Sequence, residues 1–152
     1  MSLNGFSQAG QRLQIVEKSN FLSALRTSSS TTTLFYNSIV NLFNGVNSSI
    51  YLSNNQVTTI GANPVCMYTD VTSLSIANNP SLRVNDVKLV TIKIDNPAQL
   101  NGPINLGAVS RYNNVKYIYF KVSFDFQLSQ LMSRLLEVDP KVVLIYSVDK
   151  RS

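Results

Sequence analysis

The hydrophobic period of this chain changes at Ser48, and that change bounds what the chain can fold into. Between Thr33 and Gly45, in "TLFYNSIVNLFNG", the apolar residues Phe35, Ile39, Leu42 and Phe43 recur at helical spacing. The run SSSTTT just before offers several N-cap side chains, and Gly45 suits the C-terminal cap. A shorter helical piece is expected through "NFLSALR". Past Ser48 the spacing drops to two. The segments "SIYLS", "TSLSIA", "VTIKID", "VKYIYFKV" and "KVVLIYSV" are short, alternating and rich in Val, Ile, Thr or Tyr, so each reads as a strand.

Between the last two of these lies "FQLSQLMSRLLEVD". Its Leu128, Leu131, Met132, Leu135 and Leu136 follow the i, i+3, i+4, i+7, i+8 pattern of an amphipathic helix. Asp125 is the expected N-cap and Pro140 the stop. Leu131 and Leu135 should face a sheet. A strand, a helix and a strand in this order imply a right-handed crossover between parallel strands.

Asparagine recurs at the ends of the strand segments. "IYLSNNQVTTI" (50–60), "LSIANNPSLRV" (74–84) and "IKIDNPAQLNG" (92–102) each carry two apolar residues one apart, then Asn, then another apolar residue. Their centres, with a fourth at "IYF" (118–120), lie about 24, 18 and 26 residues apart. Over residues 48–124 this resembles the leucine-rich repeat, whose unit L-x-x-L-x-L-x-x-N-x-L spans 20–29 residues. A strand that ends by turning inward leaves backbone groups without ladder partners, which are costly to bury unpaired. An Asn amide has both donors and acceptors for them. The resemblance therefore implies that Asn54, Asn78 and Asn96 sit inside such turns. It also implies an α/β fold in one domain, 1–152. An N-terminal helical cap (20–46) would precede a short solenoid of mostly parallel strands (48–124), and a helix and strand (125–148) would close it. Residues 1–19 are expected to be partly disordered. The alternative is an ordinary α+β domain in which the Asn-Asn and Asn-Pro steps are plain turns.

The chemistry is narrow. The chain has no histidine, which removes His-based nucleophilic systems and His-ligated metals. Cys66 is the only cysteine, so neither an intrachain disulfide nor a cysteine metal site can form, and a small buried hydrophobe is expected there. The 8 acidic residues are dispersed, and no phosphate-binding glycine motif occurs. Ser147-Val-Asp-Lys150 has the S-x-x-K spacing of some acyl-transfer enzymes. With 20 Ser and 7 Lys in 152 residues, about one such match arises by chance. No catalytic residue, metal or cofactor is therefore expected. A small hydrolase or transferase using the carboxylates or Ser147 is the alternative, and a structural subunit of an assembly is a third reading.

In "VKYIYFKV" alternation sends Tyr117, Tyr119 and Lys121 to one face and Ile118 and Phe120 to the other. With Tyr51, Ser75 and Lys93 alongside, the expectation is an exposed sheet face. Tyrosine offers large contact area with a polar tip. The binding candidates are thus Tyr51, Lys93, Tyr117, Tyr119 and Lys121. The leucine-rich-repeat resemblance implies non-catalytic binding of a protein or glycan. The net charge of +5 comes from scattered Lys and Arg rather than a patch, so no nucleic-acid partner is expected. No apolar run is long enough for a membrane span. Only 14% of residues are charged, against 20 Ser and 17 Asn, a balance common in exported proteins. "NGFSQ" near the start resembles the end of a bacterial secretory signal. Together these predict a periplasmic, cell-surface or secreted protein; a native Met1 would make it cytoplasmic instead.

Overall fold

The computed structural model describes residues 13–150. Its main sheet has seven strands: β1 (Ile15–Glu17), β2 (Ser49–Ser53), β3 (Gln56–Ile60), β4 (Cys66–Asp70), β5 (Leu89–Ile94), β7 (Tyr117–Val122) and β9 (Val143–Val148). Their spatial order is β1-β9-β7-β5-β4-β2-β3. Every neighbouring pair is parallel except the β2-β3 hairpin. A second, two-stranded parallel ladder joins β6 (Ile104–Asn105) to β8 (Leu135–Leu136). Three α-helices, α1 (Lys18–Thr27), α2 (Thr33–Asn44) and α3 (Leu128–Arg134), and three 3-10 turns complete the described residues. The class is α/β.

A parallel sheet is stable when both faces are covered, and here different elements cover each. On one face, Ile50, Leu52, Met67, Val90, Ile92, Ile94, Ile118 and Phe120 form the main core with residues of the connections, among them Leu74, Val87, Leu106 and Leu131. This is the crossover face. On the other, Cys66, Leu89, Tyr119 and Ile145 pack with Leu42 of α2, and Phe21 and Phe43 lie against them. This is the helix face. Alternation within each strand explains the division: Leu89 and Thr91 point one way, Val90 and Ile92 the other.

Several expectations hold. The two N-terminal helices form where the spacing places them, with Thr32 capping α2 through the Phe35 N–H at 3.1 Å and Gly45 closing it. "SIYLS", "VKYIYFKV" and "KVVLIYSV" contain β2, β7 and β9, and "VTIKID" holds all of β5 but Leu89. The β7-α3-β9 unit is parallel, and Leu131 and Leu135 are both buried in the main core.

Others need correction. "TSLSIA" is not a strand but a 3-10 turn, Leu74–Asn78, so Ser75 has no place beside the sheet strands. The Asp70 carboxylate accepts the Ser73 N–H at 2.7 Å and starts the turn, which buries Leu74 and Ala77 three residues apart. The strand in that region is β4, earlier in the chain. The helix in "FQLSQLMSRLLEVD" stops at Arg134 because Leu135 and Leu136 extend to pair with β6. Its N-cap is Gln127, and Asp125 instead accepts a hydrogen bond from Lys150 at 3.1 Å. The helices α1 and α2 cover one face of the sheet, whose two ends are β1 and β3. Of the segment 1–19 expected to be partly disordered, residues 1–12 lie outside those described, while Ile15–Glu17 is a strand and α1 begins at Lys18.

Asn54, Asn78 and Asn96 are all exposed, so none fills an inward turn. Asn54 and Asn55 have φ of 53° and 59°, the left-handed pair that a two-residue hairpin requires, and they turn β2 into β3. Asn78 ends the Leu74–Asn78 turn. Asn96 caps the 3-10 turn Pro97–Leu100, accepting the Ala98 N–H at 2.9 Å in a capping box with Gln99. Each Asn serves local backbone, not a row running between coils.

Candidate functional site

The five binding candidates share the helix face. Tyr51, Tyr68, Thr91, Tyr119 and Ile145 form one cross-strand rank; Asp70, Lys93, Lys121 and Ser147 form the next, toward the strand carboxyl ends. Tyr117 sits one rank back, level with Leu89 and Val143.

This face is not an open stripe. Tyr119 is buried, its ring 5.7 Å from Phe43 in an edge contact, and its hydroxyl is hydrogen-bonded to Ser147. Tyr117 is half-buried against Phe21 at 5.7 Å and Phe43 at 5.8 Å. Alternation shows which residues share a face, not what covers it. Here Phe21 of α1 and Phe43 of α2 bring a second apolar layer onto the tyrosines.

What stays open is the part of the face that α1 and α2 do not reach. Tyr51 is 40% exposed and stacks on the half-buried Tyr68, with ring centroids 5.0 Å apart and planes 14° from parallel. Lys93 and Lys121 are exposed and adjacent in register, and each is paired locally: Lys93 with Asp95 at 3.5 Å, Lys121 with Asp149 at 3.7 Å. Half-exposed pairs of this kind contribute ~0–1 kcal/mol, so both ammonium groups remain available to a ligand. Lys18 borders the strip. Its ammonium lies 5.4 Å from the Tyr119 ring centre and donates to Asn44 Oδ1 at 2.7 Å. Burial, and then the charge of Lys121, hold the Lys18 ammonium below its usual range. Burial, with Cys66 and Tyr51 adding to it, pushes the Tyr68 hydroxyl up to about 12. The strip therefore presents two stacked phenol rings beside two lysines.

Tyr68 escaped the sequence reading because β4 did; the signal was the run "VCMYTD". A second missed signal is larger. Residues 27–69, which include α2, β2 and β3, hold no Asp, Glu, Lys or Arg.

Ser147 and Lys150 each have another partner in the fold. The serine hydroxyl is engaged by Tyr119, and Lys150 turns to Asp125 at 3.1 Å. Cys66 is fully buried, and burial pushes its thiol up to about 11, far from a reactive thiolate. Among the described residues no three His, Cys, Asp or Glu side chains converge as a metal site, and no helix is long and apolar enough to cross a membrane. A crevice of about 20 Å³ bounded by Leu106, Tyr112, Glu137 and Asp139 has room for about one water. A wider surface hollow of about 220 Å³ lies between Asn63-Pro64 and Arg83, Asn85 and Asp86.

No family model matches this chain, and neither do any curated protein or solved structure.

Proposed function

We propose that the chain is an exported, non-catalytic binding module, built on coils like those of leucine-rich-repeat proteins, that engages a protein or a glycan through the open strip of its helix face. The coil reading draws on the topology. Strands β2, β4, β5, β7 and β9 stand side by side in chain order, and the connections contribute to one core on one side of the sheet. The register partners Met67, Val90, Ile118 and Leu144 are about 23 to 28 residues apart, within the range of that repeat.

The observation that carries the binding reading is the Tyr51–Tyr68 stack. A half-exposed pair of parallel rings on a rigid sheet is a preformed platform with little entropy to lose on contact. Lys93 and Lys121 supply charge at its border. The hydrolase reading has less support, since the Ser147 hydroxyl it would need is engaged by Tyr119.

The test is capture by the full chain from panels of immobilised oligosaccharides and of envelope proteins. Tyr51→Ala should fold normally and lower affinity for the captured partner at least about tenfold, as expected for an aromatic contact residue. Undiminished capture by a folded Tyr51→Ala variant, or no capture by the native chain from either panel, overturns the reading.

A further inference from the structure

The sheet has two edges, and they are built differently. At one, β1 is three residues long, runs straight into α1 and carries Glu17. At the other, β3 has five residues, and all five are exposed. Exposed edges pair with other strands unless something blocks them, and natural edges are blocked by charge, proline, bulges or a covering element. Strand β3, "QVTTI", has no charge and no proline, and its register with β2 is unbroken from Gln56 to Ile60. Among the described residues no element lies on its outer side.

The neighbourhood is equally unguarded. The charge-free segment 27–69 contains six exposed large apolar residues: Leu34, Phe35, Val46, Tyr51, Val57 and Ile60. Every charge behind the net +5 lies outside it. A foreign strand would impose no demand for neutrality here; a strand bearing acids would gain from lysines on this edge. A second copy does impose that demand at the axis and beside it, where a charge would face or adjoin its own like.

The backbone pattern is also self-complementary. In a two-residue hairpin the residues flanking the turn, Ser53 and Gln56, bond each other, and the pattern alternates from there. Gln56, Thr58 and Ile60 therefore turn their N–H and C=O toward β2, leaving those of Val57 and Thr59 facing outward. Setting β3 antiparallel to its own copy, with Thr58 on the axis, pairs Val57 with the partner's Thr59 and Thr59 with the partner's Val57. Every outward group on these two residues is then satisfied. On the helix face the two Thr58 side chains meet at the axis, and Gln56 comes opposite the partner's Ile60.

From the free edge, its neutrality and this register we infer that the chain forms a two-fold dimer through β3, joining two seven-stranded sheets into one continuous sheet. The strip proposed for ligand binding would then occur twice, beside the axis.

Sedimentation equilibrium of the full chain tests this. The native protein should move from its 16.9 kDa monomer toward twice that mass across the micromolar range. Thr59→Pro removes an outward N–H and leaves the bonds to β2 intact, and Thr58→Lys sets two like charges on the axis. Each should weaken the dimer at least tenfold, with an unchanged circular dichroism spectrum. Thr58→Cys gives a readout that disturbs nothing: air oxidation should yield a disulfide-linked dimer, while the buried Cys66 stays reduced. A native chain that is monomeric at millimolar concentration overturns the inference. So does a dimer that survives both disruptive variants, or a Thr58→Cys protein that does not cross-link.

Discussion

The Tyr112 hydroxyl donates to the Ala77 carbonyl at 2.7 Å, tying the connection before β7 to the connection before β5 across 35 residues of sequence. Both residues are buried. The bond gives a lone carbonyl in the main core a partner and stacks one crossover on the next. Tyr112→Phe keeps the ring and removes only the donor. It should cost ~1–3 kcal/mol by leaving that carbonyl unpaired. An unmoved urea midpoint would mean that solvent reaches the carbonyl.

The β2-β3 turn separates two accounts of its asparagines. At φ of 53° and 59°, both carry the left-handed backbone of a two-residue hairpin. Asn54→Ala should cost ~1–2 kcal/mol, the penalty for a Cβ residue in that region without a helping side chain. Asn55→Gly should be neutral or stabilising, since Asn-Gly is the favoured pair for this turn. A buried amide row would instead make Asn54→Gly as costly as Asn54→Ala, whereas at this positive φ glycine costs little. The urea midpoints of the two Asn54 variants decide between them.

The part of the fold legible in sequence is the part governed by period. Helices α1 and α2 and strands β2, β5, β7 and β9 showed themselves because each has one dominant spacing. The Asn-Asn step was the hairpin signal, yet "QVTTI" has only Val57 and Ile60 as apolar residues, so it reads as the tail of a repeat unit rather than as an exposed edge strand. "TSLSIA" misled because Leu74, Ile76 and Ala77 satisfy both alternation and a tight 3-10 turn, and only the bond from Ser73 to Asp70 settles which one forms. The face shared by Tyr51, Lys93, Tyr117, Tyr119 and Lys121 was readable; its cover was not. Whether a strand face meets water depends on where distant segments fold back, and here Phe21 and Phe43 return to it from more than seventy residues upstream.

Tyrosines on that face should therefore differ sharply. Tyr119→Ser removes a ring packed on Phe43 and should cost ~3 kcal/mol or more. Tyr51→Ser, at a position 40% exposed, should cost under ~1 kcal/mol. Thermal melts of the two variants that coincide would place α1 and α2 elsewhere.

The residues after α3 make a similar contrast. Leu131 is fully buried in the main core, and Leu131→Ala should cost ~2–5 kcal/mol. Leu136, two positions past the helix and 46% exposed in β8, should tolerate alanine within ~0.5 kcal/mol. If the helix continued through Leu136, its i, i+4 partner Met132 would share the burial and both substitutions would hurt. Denaturant midpoints for this pair report where the helix ends.

The last prediction is a loss of stability in alkali, with the sign fixed by burial. Cys66 rises from 9.0 to about 11, and Tyr68 and Tyr112 each rise from 10.0 to about 12, in every case chiefly because burial disfavours the charged form. For Tyr112 the guanidinium of Arg111 pulls the other way, but burial prevails. The folded chain thus holds protons that the unfolded chain has released. Well below pH 9 all three groups are protonated in both states and stability is independent of them. Between the unfolded and folded values the unfolded state binds fewer protons, so stability falls as pH rises. The melting temperature should hold steady to about pH 9 and then drop steeply toward pH 11. Tyr112→Phe should start lower at neutral pH, through the loss of its bond to Ala77, yet fall less steeply. Cys66→Ala should delay the onset. A native melting temperature flat to pH 11, or a Tyr112→Phe curve parallel to it throughout, would show that these groups ionise without opposing the fold.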